Sequence, residues 1–265
     1  MKTKKGGETV ESKLKIDIRR HKIVEHLHRE GKLTVSQLSQ MLDVTPVTIR
    51  TDLAALEREG YLIRMRGGAV LSTRPQTNMG AEEDEQSYLQ KQAMAAEAAA
   101  LIKDGQTLFF NSGTTTHHIA RALHGKRYLN IVTNSLAVAM ELGNTPTFHV
   151  LLLGGDIDST YGFTHGGDTQ DQLCKYQADW AILSVDGVSA KGGLTTYHSE
   201  ESIIDRLMIA NAKETMVVAT GNKIGNVGFS RICDCNAKLV LITDQTCDGQ
   251  ALQLLKEKNV QTIVK

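Results

Sequence analysis

The sequence predicts an α/β chain in two parts: a winged helix-turn-helix over 16–71, then, past a polar linker at 72–90, a mostly parallel α/β domain over 91–265. Three observations predict it. Helical stripes with caps, followed by an Arg-bearing alternating segment, crowd into the first 71 residues. Beyond the linker, apolar strand-like runs alternate with helical ones, the pattern of a helix-covered parallel sheet. The net charge of zero also divides: residues 1–74 carry 15 Lys/Arg against 9 Asp/Glu, a net of +6, and residues 75–265 carry 15 against 21, a net of −6.

Ile16, Ile18, Ile23, Val24 and Leu27 recur at near-helical spacing, with Gly31 as a stop. Thr34 is placed to N-cap a short second helix whose Leu38, Met41 and Leu42 face inward. Asp43 and Val44 make a tight connection. Thr45 then caps a third helix with Pro46 at its first position, where a missing N–H is harmless. Ile49, Leu53 and Leu56 form its buried stripe and Gly60 ends it. "YLIRMR" alternates as a strand, Gly67 and Gly68 turn, and "AVL" resumes the strand. Helix, helix, turn, helix and hairpin is the winged helix-turn-helix order.

The stretch 72–90 ("STRPQTNMGAEEDEQSYLQ") is polar and acidic and reads as a linker. An Ala-rich helix follows at 91–102. Strands are expected at 107–110, 130–133, 149–153, 180–185, 215–220 and 238–243, and helices at 115–123, 135–142, 168–175, 200–213 and 248–258.

Composition excludes several classes. With 41% hydrophobic and 23% charged residues in 265, the chain has an ordinary globular balance. No stretch approaches the roughly 20 apolar residues that span a bilayer. The N-terminal "MKTKKGGETVESKLK" has charge but no apolar core, so it is no secretory signal, and a cytoplasmic location is expected. Cys174, Cys233, Cys235 and Cys247 lack the spacing of a zinc site and are expected as free thiols. His117 and His118 are adjacent and point about 100° apart on a helix, and His165 and His198 have no spaced partner. No metal and no cofactor is expected. Trp180 opens a strand and is expected in the core. Charge alone leaves two readings of the basic end, a polyanion-binding surface or a solvated tail.

The third helix separates them. With its stripe facing inward, Val47, Thr48, Arg50 and Thr51 near its N-terminus face out, where a helix-turn-helix enters the major groove. Val47 suits a thymine methyl, and Arg50 forks onto a guanine or a phosphate. Thr34 and Thr45 place helix N-termini where phosphate binds well. Arg64 and Arg66 on the wing are candidates for backbone or minor-groove contact. Asp52 would be repelled by phosphate and is assigned an internal bond. The alternative is a three-helix protein-docking domain with a solvated basic face.

The stretch "HKIVEHLHREGKLTVSQLSQMLDVTPVTIRTDLAALEREGYLIRMRGGAV" resembles the N-terminal domain of DeoR-family bacterial transcriptional regulators. Their pattern is V-[ST]-x-x-T-I-R-x-D-L-x-x-L-E followed by a wing ending in H-G-G; this chain has "VTPVTIRTDLAALE" and "RMRGGAV". Thr51 stands where most members carry a second arginine, and Arg66 stands where histidine is usual. Both departures bear on which operator is read.

"FFNSGTTTHHIARAL" at 109–123 is a strand, a small-residue turn and a helix start, a nest for phosphate at a helix N-terminus. Ordinary helix capping by Ser and Thr is the alternative. "VTNSL", "LLGGD", "SVDGVSAKGGLTT" and "TGNK" likewise follow apolar strands, where open α/β sheets bind ligands. In order and spacing these loops resemble the C-terminal domain of the same family, related in fold to ribose-5-phosphate isomerase and CoA transferases and sensing phosphorylated sugars or related metabolites. The resemblance implies that Ser112, Gly113, Thr114 and Thr115 hold phosphate. It places Asn134, Asp186 and Lys223 in the sugar pocket with Glu200 close by. Two departures are Thr220, where the family's Asp-x-[ST]-Lys begins with an acid, and Asp156, where an arginine often follows the "GG". They imply a ligand, or a ligand orientation, unlike the family's commonest.

"VDGVSAKGG" also echoes sugar-phosphate isomerases, with Asp186, Lys191 and Glu200 as possible general bases or acids. The second acid that such chemistry uses is missing: Gly187, Val188 and Ser189 follow the Asp. The expectation is therefore a sequence-specific DNA-binding regulator and no enzyme. It is expected to repress a carbohydrate-utilisation operon and to be relieved by a phosphorylated sugar. Double-stranded operator DNA, that sugar and a second copy of the chain, in a dimer or tetramer, are its expected partners. A sugar-phosphate isomerase or transferase-like enzyme with an accessory DNA-binding domain is the alternative.

Overall fold

A computed structural model of the chain describes residues 16, 19, 20, 22–24, 26, 27, 29–58, 62–71, 85–159 and 161–265. The chain divides into two compact units, Met1–Thr73 and Arg74–Lys265. The expected linker falls partly on 72–84, outside the described residues, and its last six positions, 85–90, are helical.

In the first unit the described residues among 16–30 are helical, with Ile23, Val24 and Leu27 buried; Ile18 lies outside the described residues. There follow β1 (Lys32–Thr34), α1 (Val35–Leu42), α2 (Pro46–Arg58), β2 (Leu62–Met65) and β3 (Gly68–Leu71). The strands form an antiparallel sheet in the order β1-β3-β2. Thr34 ends β1 and caps α1: its hydroxyl accepts the Gln37 N–H at 3.2 Å, while Gln37 Oε1 accepts the Thr34 N–H at 2.8 Å. Thr45 caps α2 by accepting the Thr48 N–H at 3.2 Å. On α2 the buried face is Ile49, Asp52, Leu53, Ala55 and Leu56, packed in one core with Leu33, Leu38 and Leu62 of its neighbours. Met41, expected to face inward, is exposed, because the short α1 buries only Val35 and Leu38.

The second unit opens with α3 (Glu85–Leu101) and is built on a seven-stranded sheet. Its strands are β4 (Thr107–Phe110), β5 (Asn130–Thr133), β6 (His149–Leu152), β9 (Ala178–Leu183), β12 (Ala212–Val218), β14 (Leu239–Thr243) and β15 (Gln261–Val264). The order is β15-β14-β12-β9-β4-β5-β6, with every pairing parallel. Alternation along each strand divides the core in two. Leu108, Phe110, Ile131, Ile182, Met216 and Ile242 lie in one cluster with α3, α4 (Thr114–Ala122) and α5 (Leu136–Leu142). Phe109, Val132, Leu183, Val217 and Leu241 lie in the other with α6 (Gly167–Leu173), α7 (Ser199–Ala210) and α8 (Gly249–Glu257). Trp180 packs partly buried against the first cluster. Continuous apolar strands are what a sheet covered on both faces requires.

Small antiparallel elements absent from the sequence reading top this sheet: a hairpin of β7 (Asp156–Asp158) and β8 (Phe163–His165), and a sheet of β10 (Gly187–Ser189), β11 (Gly193–Thr196) and β13 (Ser230–Cys233). From β4 the chain runs one way through β5 and β6, then returns to the other side of β4 at β9. The reversal makes the carboxyl ends of β4 and β9 a topological switch point, and the crevice outside such a point is where open α/β sheets take ligands.

Candidate functional site

In the first unit, the inward face of α2 leaves Val47 68% exposed, with Arg50 and Thr51 exposed beside it and Thr48 half-buried. All three threonine hydroxyls at this helix, those of Thr45, Thr48 and Thr51, already have local partners. Thr45 and Thr48 are joined at 2.9 Å, and Thr51 donates to the Val47 carbonyl at 3.1 Å. A readout of bases by this face therefore falls first to Val47 and Arg50. Thr34 lies apart from α2, at the start of α1, with its hydroxyl engaged by Gln37. Asp52, only 1% exposed, receives Arg19 Nε at 2.5 Å and Arg20 Nε at 3.3 Å, so it clamps the first helical segment to α2.

The two wing arginines differ. Arg66 sits exposed at the β2–β3 turn. Arg64 donates to Glu57 through Nε at 2.6 Å and through its backbone N–H at 2.9 Å, fastening the wing to α2. The Arg64 side chain, then its backbone N–H, hold the Glu57 carboxyl below its ordinary range. Arg64 is thus a structural clamp as well as a surface cation.

In the second unit the crevice is closed beneath by Asn111. Its Nδ2 donates to the Ser184 carbonyl at 2.9 Å and its Oδ1 accepts the Ser184 N–H at 2.9 Å, tying the end of β4 to the end of β9. Gly113 then passes so close that a Cβ there would lie 2.6 Å from Ser184 Cβ. Gly113 is the N-cap of α4 and, as a glycine, supplies no side-chain cap bond, so the helix start is presented as bare backbone at the end of β4. The Ser112 hydroxyl donates to the Tyr161 carbonyl at 3.2 Å. Lys91, on α3, donates to Thr114 Oγ1 at 2.9 Å and brings a cation to the loop. Thr115, expected among the phosphate contacts, turns its side chain into the core at 3% exposed, leaving only its backbone N–H for such a role. Lys91 was not singled out in the sequence, because it lies in an Ala-rich helix far along the chain.

Asn134 is fully buried and binds the base of the β7–β8 hairpin: its Nδ2 donates to the Thr164 carbonyl at 3.1 Å. It is a wall of the crevice rather than an open contact. Asp186 accepts the Tyr197 N–H at 3.0 Å and lies 3.6 Å from Lys223 Nζ. Burial alone would raise the Asp186 carboxyl, but Lys223, His198, the Tyr197 N–H and the Thr196 hydroxyl outweigh it and hold the group below its ordinary range. Thr196 Oγ1 lies 3.0 Å from Asp186 and 2.8 Å from Glu201, and one hydroxyl proton serves only one of them. Burial, with Asp205 and Asp186 nearby, pushes the Glu201 carboxyl well up, while the Thr196 hydroxyl pulls the other way. Glu200 is exposed on the first turn of α7 and accepts from the Ser199 hydroxyl at 2.9 Å. Lys191 is exposed at the β10–β11 turn.

The histidines that lack partners in sequence acquire them in space. The His198 ring lies 4.2 Å from that of Tyr161, and Phe163 lies against both His165 and His198. His117 and His124 share the Glu141 carboxylate at 3.2 and 2.8 Å. Among the described residues no cluster of His, Cys, Asp and Glu is arranged to hold a metal ion, and no helix is long and apolar enough to cross a membrane.

Comparison with known proteins adds to this geometry. Residues 19–74 match the DeoR-like helix-turn-helix domain and residues 86–245 match the DeoR C-terminal sensor domain. The chain is similar to the transcriptional regulator GolR of Listeria innocua, 34% identical over 85% of this chain and 89% of that one. It is also similar to the transcriptional repressor GlcR of Bacillus subtilis, 30% identical over 91% and 93%. Among solved structures, ribose 5-phosphate isomerase A of Methanocaldococcus jannaschii is 19% identical with a TM-score of 0.37, over 50% of this chain and 52% of that one. With both family models matched in order and relatives aligned over most of its length, the chain belongs to the DeoR family of helix-turn-helix transcriptional regulators.

Proposed function

We propose that this regulator is a repressor of sugar-utilisation genes, acting as a homo-oligomer whose grip on operator DNA is released by a phosphorylated sugar. Val47 and Arg50 of α2 read the major groove, Thr45 and Thr48 order the helix start, and Arg66 meets the backbone from the wing. The phosphate sits on Ser112, the backbone of Gly113–Thr115, Thr114 and Lys91. Asp186, Lys223 and Glu200 face the sugar hydroxyls, with Asn134 behind them. The names of the similar repressors support the sign of regulation. The single observation that carries the ligand class is Lys91 Nζ bonded to Thr114 at the N-terminus of α4, at the carboxyl end of β4.

The crevice is equipped to bind rather than to transform. A general base works best with its pKa near the operating pH, and Asp186 is held low. The coupling needed to switch DNA binding is about 1–3 kcal/mol between sugar and operator. A thermal-shift screen of sugar phosphates against their unphosphorylated forms tests the reading, followed by operator release with the best ligand. One phosphorylated sugar should stabilise the chain and weaken operator binding. Equal stabilisation by the unphosphorylated sugar would refute the phosphate site.

A further inference from the structure

Beneath the Ser112–Gly113 turn lies a buried pair with no place in the scheme above. Asn111 Nδ2, besides binding Ser184, donates to Asp205 Oδ1 at 3.0 Å, and both side chains are fully buried. Asp205 Oδ2 has no hydrogen-bond partner among the described residues. Asn111 fixes the turn from several sides. Its N–H donates to the Ile182 carbonyl at 3.3 Å, and its own carbonyl accepts the Thr116 hydroxyl at 3.1 Å. Asp205 therefore holds, through one residue, the turn from which α4 starts.

Asp205 stands on α7 one turn beyond Glu201, which binds Thr196 and through it Asp186 at the other end of the crevice. One helix thus carries a carboxyl to each end of the site. The same helix is fastened to β13: Ser202 and Ser230 hydroxyls meet at 2.7 Å, and Arg206 donates to the Arg231 carbonyl at 3.1 Å.

We propose that Asp205 is a positioning residue for effector binding, which locks the phosphate-binding turn to α7 through Asn111 and whose negative charge, once it ionises, repels the phosphate. The proposal rests on the reading of Ser112–Thr115 as a phosphate site. Its physical basis is the burial of Oδ2 with no hydrogen-bond partner among the described residues: an ionised carboxylate there, beside Asp186, would be strongly disfavoured. The charged and titratable groups around it are Glu201 and Arg206 on its own helix, Asp186 beyond β9, and Cys233 on β13. Burial pushes Asp205 up to about 8, outweighing the pull of the Asn111 hydrogen bond, and the Asp186 charge adds to the rise while Arg206 opposes it. Anion binding is then proton-linked: it is strongest with Asp205 protonated and declines as pH rises through that value.

The test uses the full chain with sulfate as probe, a dianion whose charge is constant from about pH 6 to 9. Calorimetry compares the wild type, Asp205→Asn and Asp205→Ala across that range. Sulfate affinity of the wild type should fall roughly tenfold, in step with ionisation of one buried acid. The shape-conserving Asp205→Asn should bind as the wild type does at pH 6 and stay flat to pH 9. Asp205→Ala should bind poorly throughout. A parallel decline in wild type and Asp205→Asn overturns the proposal, as does full affinity in Asp205→Ala. Titration of carboxyl-13C-aspartate gives a ligand-free check, in which a resonance absent from Asp205→Asn should move with a midpoint near 8; a midpoint near 4 overturns it. If sulfate fails to bind the wild type at any pH while that resonance titrates near 8, the phosphate-site reading has failed, and the positioning role with it.

Discussion

Lys91 and Thr114, from different helices, meet at 2.9 Å where α4 begins, so the crevice carries a positive charge beside its backbone donors. A charged hydrogen bond to phosphate is worth about 1.5–3 kcal/mol. Lys91→Met should therefore weaken binding of the phosphorylated effector roughly tenfold to a hundredfold. Operator affinity without effector should be unchanged. Calorimetry with effector and anisotropy with operator check the two halves; undiminished effector binding would remove Lys91 from the site.

Arg50 is exposed beside Val47 on the outward face of α2. Arg50→Ala should cost operator binding about 1–3 kcal/mol and random DNA much less, if the guanidinium forks onto a base. Competition between the two DNAs at fixed salt measures the difference. An equal loss on both makes Arg50 a phosphate contact.

Asp52 is nearly inaccessible, while Arg19 and Arg20 keep part of their side chains in water. Asp52→Asn removes the charge that both guanidiniums share. The cost should be about 1–2 kcal/mol, less than for a fully buried pair because solvent partly compensates the arginines. A lowered melting transition by circular dichroism, accompanied by weaker operator binding, is the expected outcome. An unchanged melt would show that packing alone holds the first helical segment.

Asp205 sets a pH dependence of stability. It keeps its proton in the folded chain up to about 8, whereas an aspartic acid in an unfolded chain loses it near ~4. Between those values the folded state binds the extra proton, so this group's contribution to stability declines as pH rises from about 4 to about 8. Asp205→Asn escapes that decline. Its melting temperature relative to the wild type should rise by several degrees between about pH 4.5 and pH 8. A constant offset across the range would mean that Asp205 is ionised throughout.

Much of this was legible in the sequence where one local rule decides the outcome. TLFF and NIVT are strands because unbroken apolar runs suit a sheet covered on both faces. Thr34 and Thr45 are caps because their side chains satisfy donors three residues on. What was not legible depends on distant partners. β1 is only three residues and exists because β3 comes back to pair with it. β10, β11 and β13 are short, Gly-containing pieces that make a sheet only with one another. The burial of Thr115 follows from which way α4 leans on the sheet, and Lys91 reaches Thr114 from 23 residues away. Asp52 was legible halfway: its mismatch with phosphate marked it as internal, but Arg19 and Arg20 emerge only from the packing.

The adjacent glycines of the wing are constrained by unrelated causes. Gly67 has open space around it but a φ of +86°, while a Cβ on Gly68 would lie 2.3 Å from the Leu33 carbonyl oxygen of β1. A randomised library at both codons, selected for repression, should consequently diverge. Position 67 should return asparagine and aspartate alongside glycine, because those residues tolerate the left-handed region. Position 68 should return glycine alone, since no side chain fits between two paired strands at that separation. Two identical letters in the sequence thus have different mutational freedom, one set by a torsion and the other by a neighbour.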